Sequence, residues 1–98
     1  MIEVIKQKTV ELYPRLLKIR RHLHQYPELS FQEFDTANYI QKFLEENRVP
    51  FSSGVGGTGI VATITGELDS QEGTEKTIAL RADMDALPIE EQNEVPYK

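Results

Sequence analysis

Pro50 divides this chain into two textures, and that division restricts its fold more than any other feature. Before Pro50, apolar residues recur at helical spacing. After it, FSSGVGGTGIVATITGEL (residues 51–68) is dominated by glycine, serine and β-branched side chains. A helical period buries one stripe of a cylinder, whereas β-branched side chains suit a pleated surface. The chain therefore reads as helices followed by strands, an α/β order in which helices cover a sheet.

Residues 2–25 have a helical pattern, with Ile5, Leu12, Leu16, Ile19 and Leu23 along one stripe. Pro14 interrupts it: either the helix kinks there, or a second segment begins with Pro14 in its first turn, where a missing N–H is harmless. Pro27 stops the segment. The stretch LSFQEF (residues 29–34) then places Ser30 three residues before Glu33, the spacing of a reciprocal capping box. Leu29 and Phe34 stand where a hydrophobic staple would fix the chain's entry. Ala37, Ile40, Phe43 and Leu44 continue the apolar face, and Asn47 with Pro50 ends it.

Beyond Pro50, Ile60–Ile64 and Thr77–Ala82 are strand candidates, joined by the polar connection DSQEGTEK (residues 69–76). They pair most simply as an antiparallel hairpin. A short strand at Val49–Ser52 is a further candidate. The glycines Gly54, Gly56 and Gly57 fit a turn better than a phosphate loop, because no Gly-Lys-Ser/Thr follows and a strand comes next where a helix N-terminus is required. Two or three strands carrying two helices leave a sheet edge or face uncovered, so the sheet is incomplete and the sequence reads like the start of a larger domain.

A length of 98 residues is that of one small domain. A net charge of −5 and one short basic cluster, Lys18-Ile19-Arg20-Arg21, argue against a nucleic-acid footprint, which needs an extended basic face. Without cysteine there is neither a disulfide framework nor a thiolate zinc site in these residues. No apolar run approaches the roughly 20 residues of a membrane span. The N-terminal MIEVIKQKTVELYPR is mixed and charged, unlike a secretory signal, and these features together point to the cytoplasm.

Chemistry could reside in IALRADMDALPIEE (residues 78–91). In an extended segment Arg81, Asp83 and Asp85 share one face, at the carboxyl end of a strand. The two acids could ligate a hard cation, orient a histidine ligand by accepting its second N–H, or pair with Arg81 as a surface ion pair capping the strand. Two acids alone are too few for a metal site. His22 and His24, two positions apart on a helix, diverge and cannot share a metal. His24, at the helix end, suits the negative pole of the helix dipole.

Taken together and in order, RRHLHQYPELSFQEFDTANYI (residues 20–40), GGTGIVATITG (residues 56–66) and ALRADMDALPIEE (residues 79–91) closely resemble the opening of metal-dependent amidohydrolases. The resemblance is to the N-acyl-amino-acid amidohydrolase, hippurate hydrolase and indoleacetyl-amino-acid hydrolase group, related to aminoacylase and the carboxypeptidases of the same clan. It implies an α/β/α catalytic domain interrupted by a smaller dimerisation or lid domain, with residues 1–98 as the N-terminal part of the catalytic domain and the rest lying outside this chain. It further implies an intact, homodimeric enzyme that hydrolyses the amide of small N-acyl-amino acids with water activated by two divalent metals (zinc, manganese, cobalt or nickel) and with no nucleic-acid or membrane partner.

The ligands implied by the family are a cysteine and histidines of a His-x-Cys-Gly-His-Asp motif, a Glu-Glu pair and further histidines, all downstream of DMDALP. No metal ligand is therefore expected among residues 1–98, and this chain alone is expected to hold no metal and to be inert. Asp85 matches the aspartate of the family's Asp-Ala-Leu-Pro motif, which implies that it orients a ligand. In related peptidases a histidine ligand stands two positions earlier; here that position is Asp83, a departure that carries no ligand role to it. Arg81, His24, Glu28 and Glu33 match motif positions as structural supports. The alternatives are a truncated, non-catalytic remnant, or a small acidic domain that binds cations or a partner through Asp83 and Asp85.

Overall fold

The computed structural model describes residues 1–66 and 76–98 and groups the chain into two units, Met1–Pro27 with Leu87–Lys98, and Glu28–Ala86. In the first unit, helix α1 (Ile2–Gln25) runs through Pro14 as one helix, so no second segment begins there. Pro14 offers no N–H to the carbonyl of Val10, but strong helix formers on both sides carry the helix across the missing bond. The stripe expected to be covered is largely open: Ile5, Leu12 and Leu16 are exposed, and only Leu17, Ile19, His22 and Leu23 are half-buried. The Tyr26 amide closes the helix by donating to the His22 carbonyl at 3.1 Å.

In the second unit, helix α2 (Phe34–Glu46) packs on a hairpin of strands β1 (Phe51–Val55) and β2 (Gly59–Ala62). The strands pair antiparallel, Phe51 opposite Ala62 and Ser53 opposite Ile60, and a bulge at Gly54 shifts the register before Val55 meets Gly59. Gly54 takes φ +71°, the left-handed conformation that such a bulge requires. A Cβ on Gly59 would lie 2.5 Å from the Val55 carbonyl oxygen, so only glycine permits this approach. The glycine cluster is thus a hairpin turn followed by a strand. The Thr63 amide extends the ladder by donating to the Pro50 carbonyl at 3.0 Å.

Helix–helix–strand–strand order with an incomplete sheet bears out the α/β reading, but two local expectations are corrected. First, the helix starts at Phe34, not behind Ser30, and Ser30 makes no cap. The Gln32 amide donates to the Leu29 carbonyl at 2.9 Å and closes a turn in which Phe31 takes φ +67°. That left-handed residue breaks any helix beginning at Ser30. Leu29 and Phe34 are both exposed and form no staple. Second, Thr77–Ala82 is not a strand, and β2 pairs with Phe51–Val55 instead. The connection expected at residues 69–76 lies, up to residue 75, outside the described residues.

Helix α2 ends as its sequence indicates. Asn47 is the C-cap, and its side-chain amide donates to the Phe43 carbonyl at 2.8 Å. The Arg48 amide reaches the Glu45 carbonyl at 3.1 Å and the Val49 amide reaches that of Leu44 at 2.9 Å. These are the paired bonds of a Schellman motif, with Arg48 at φ +57° where glycine is usual. The core is thin: among the described residues Ala37 is the buried apolar side chain, flanked by buried Glu33, Thr36 and Thr58 and by half-buried Ile40, Phe43 and Leu44.

Candidate functional site

Two glutamates organise the second unit around the acidic segment. Glu28 follows Pro27, and its carboxylate folds forward over the turn at Leu29–Gln32. One oxygen accepts the Asp35 amide at 3.1 Å and the other accepts the Thr36 amide. Those are among the first, otherwise unpaired, donors of α2, at the positive end of its dipole. The Thr36 hydroxyl, ahead of the two backbone amides, holds the Glu28 carboxyl below its ordinary value of 4.5 against the opposing cost of desolvation. The backbone carbonyl of the same residue accepts the Ala86 amide at 2.8 Å.

Glu33 is buried, at 8% relative exposure. One of its carboxylate oxygens accepts the Thr58 hydroxyl at 2.8 Å, and the other accepts the Gln32 amide at 3.1 Å. Glu28 and Glu33 therefore join the three sequence blocks within one unit: Glu28 ties the first block to the Asp-Ala-Leu-Pro segment, and Glu33 ties it to the glycine turn. The sequence marks both glutamates as motif positions but not their bonds, because Glu28 caps a helix from seven and eight residues away.

The acidic segment lies outside helix and strand, and its exposure alternates: Asp83 and Asp85 are exposed, Met84 and Ala86 half-buried. Arg81 Nη2 pairs with Asp83 Oδ1 at 3.1 Å, with both side chains mostly in water. This is the surface ion pair among the sequence alternatives, and it occupies Asp83. Asp85 stands one residue before the amide that Glu28 holds.

In the first unit the two histidines diverge. His22 packs on Tyr26, with ring centroids 4.9 Å apart. His24 Nε2 lies 3.6 Å from Glu91 Oε1, and its ring meets Tyr97 edge-on at 5.8 Å. Arg21, one turn from His24 on the same face, places its guanidinium 4.4 Å from the centre of the Tyr97 ring. Glu91 and Tyr97 thus bind the segment Leu87–Lys98 to the end of α1.

Among the described residues no group of three or more histidine, cysteine, aspartate or glutamate side chains could hold a metal ion. The donor set explains this, since the histidines diverge, Asp83 is paired with Arg81, and Asp85 alone is too few. The described residues do not by themselves fit the metal centre implied by the resemblance. No helix among the described residues is long and apolar enough to cross a membrane.

Fold and site together form an α/β segment in which an acidic stretch is pinned beside the start of a helix. The chain is 51% identical over 86 residues to the N-acetyl-L-cysteine deacetylase of Bacillus subtilis, covering 88% of this chain and 20% of that protein. It is 49% identical over 85 residues to the putative amidohydrolase YhaA of the same organism, covering 87% and 20%. It is 40% identical over 99 residues to thermostable carboxypeptidase 1 of Saccharolobus solfataricus, covering 100% and 24%. Over most of its length the chain is thus similar to part of these amidohydrolase and peptidase proteins. It spans about a fifth to a quarter of the length of these relatives. No family profile matches the chain. No solved structure matches it.

Proposed function

We propose that residues 1–98 form the N-terminal part of the catalytic domain of a longer hydrolase that cleaves the amide of N-acyl-amino acids. Two divalent metals, held by side chains outside these residues, would serve that whole enzyme, whose remaining portion would include a dimerisation or lid domain. In this reading Asp85 orients a ligand from outside the chain, and Arg81 with Asp83 forms the ionic edge beside it. What supports the reading is the identity of about half over most of the chain with a deacetylase and an amidohydrolase, taken together with the Glu28 and Glu33 bonds that gather the three shared blocks. The alternative, a small cation-binding domain built on Asp83 and Asp85, is disfavoured by the pairing of Asp83 with Arg81.

The test is a chimera in which this chain replaces the matched segment of the B. subtilis N-acetyl-L-cysteine deacetylase. Release of free amino acid is followed for N-acetyl and N-benzoyl substrates, with and without chelator. The expected result is chelator-sensitive turnover, lowered about 10–100-fold by Asp85→Asn, the usual scale for loss of a residue that orients a metal ligand. A folded chimera with no turnover on any of these substrates refutes the reading. Full activity in the Asp85→Asn chimera removes Asp85 from it.

A further inference from the structure

We infer that Glu28 is the positioning residue for Asp85, a joint through which the start of α2 sets the backbone of the aspartate segment. The geometry has two halves. The carboxylate of Glu28 accepts the Asp35 and Thr36 amides at the helix start, which tethers its backbone to α2. The carbonyl of Glu28 holds the Ala86 amide at 2.8 Å. That N–H lies in the rigid peptide plane that begins at the carbonyl of Asp85, so holding it restricts the ψ angle of Asp85. The direction of the Asp85 side chain therefore depends on a carboxylate it does not touch.

A plain helix cap would need only the first half. Here the same residue spends its carbonyl on the acidic segment, although Leu29 follows immediately and its own carbonyl is taken by the turn. The Glu28 carboxylate is also held in its charged form by the Thr36 hydroxyl and the amides, which keeps the first half of the joint closed at neutral pH. The significance of the joint for turnover rests on the hydrolase reading of Asp85, whereas its existence does not.

The experiment therefore reads the joint without metal or substrate. Amide hydrogen exchange is followed by NMR in the 98-residue chain and in Glu28→Ala and Glu28→Gln. The expected result is a protected Ala86 amide in the native chain. In Glu28→Ala its exchange should quicken by about ten-fold, while the Asn47 and Val49 amides at the far end of α2 keep their rates. Glu28→Gln, which retains one acceptor oxygen, should restore part of the protection.

Three results overturn the inference: an Ala86 amide that exchanges freely in the native chain; protection unchanged in Glu28→Ala; or loss of the Ala86, Asn47 and Val49 amides together in both variants, which would make Glu28 a folding residue only. An inactive chimera would sink the hydrolase reading while leaving this result intact. A freely exchanging Ala86 beside a chimera that still needs Asp85 would sink the joint alone.

Discussion

Thr58→Val tests the buried bond that anchors the glycine turn to α2. Valine has nearly the shape of threonine, so the substitution opens no cavity and removes only the hydroxyl. Glu33 and Thr58 are each at 8% exposure, and their bond is 2.8 Å long. Without it, one carboxylate oxygen is left buried with no donor. A hydrogen bond to a charged partner contributes about 1.5–3 kcal/mol, and its buried survivor keeps the desolvation penalty. Burial of the added methyl offsets about 0.8 kcal/mol of this, leaving a net loss near 1–2 kcal/mol. In a chain of this size that lowers Tm by roughly 4–16 °C, since each kcal/mol shifts it by about 4–8 °C. Urea denaturation of the native chain, Thr58→Val, Glu33→Gln and the double variant should give a coupling energy of at least about 1 kcal/mol with an unchanged m-value. A loss under about 0.5 kcal/mol, or a coupling near zero, would show that Glu33 finds other donors and that the bond does not hold the turn.

Arg48→Gly should stabilise the chain by about 0.5–1 kcal/mol, because a non-glycine residue at φ +57° carries a steric cost that exceeds the extra unfolded-state freedom of glycine; a higher midpoint in urea checks it. Acid should weaken the start of α2 through Glu28. Its folded pKa lies below 4.5, so its contribution is fully present above that value and is lost as pH falls through the folded pKa. The stability difference between the native chain and Glu28→Gln should accordingly shrink below pH 4.5 and stay constant between there and neutrality. Residues 1–98 alone, given zinc, manganese or cobalt, should release no amino acid from N-acyl-amino acids above a metal-only control, because among the described residues too few ligands converge to place a metal-bound water.

The elements that were legible in the sequence are those governed by local rules. The period of α1, the Asn47–Pro50 stop of α2 and the glycine turn all follow from residues within one or two turns of each other. The start of α2 was not legible, because Ser30 and Glu33 have capping-box spacing while the actual acceptor, Glu28, reaches the helix across a turn. Nothing in the spacing reveals that Phe31 takes a left-handed conformation, which is unfavourable for a bulky side chain and held by the bonds around it. The observed strand pairing is the more local one. Phe51–Val55 and Gly59–Ala62 close a hairpin over a tight glycine turn, at a small loop-closure cost. At the candidate site, the Arg81–Asp83 pair was readable from two-residue alternation. The contact between Glu28 and Ala86 joins residues far apart in sequence, and no single-sequence pattern encodes it.

The exposed apolar stretch from Thr77 to Leu80 has a consequence for how such a polypeptide survives its own synthesis. Ile78 and Leu80 are 86% and 96% exposed, on a backbone with no ladder partner among the described residues. A short apolar β-prone run of this kind is a template for stacking against identical copies. It is bracketed by charge, with Lys76 before it and Arg81 after it. Such flanking cations act as gatekeepers, since in-register stacking would pile like charges on one another at both ends. The Asp83 carboxylate that pairs with Arg81 also screens the downstream guardian, so variants that strengthen this ion pair would trade local order for a greater tendency of the nascent chain to aggregate.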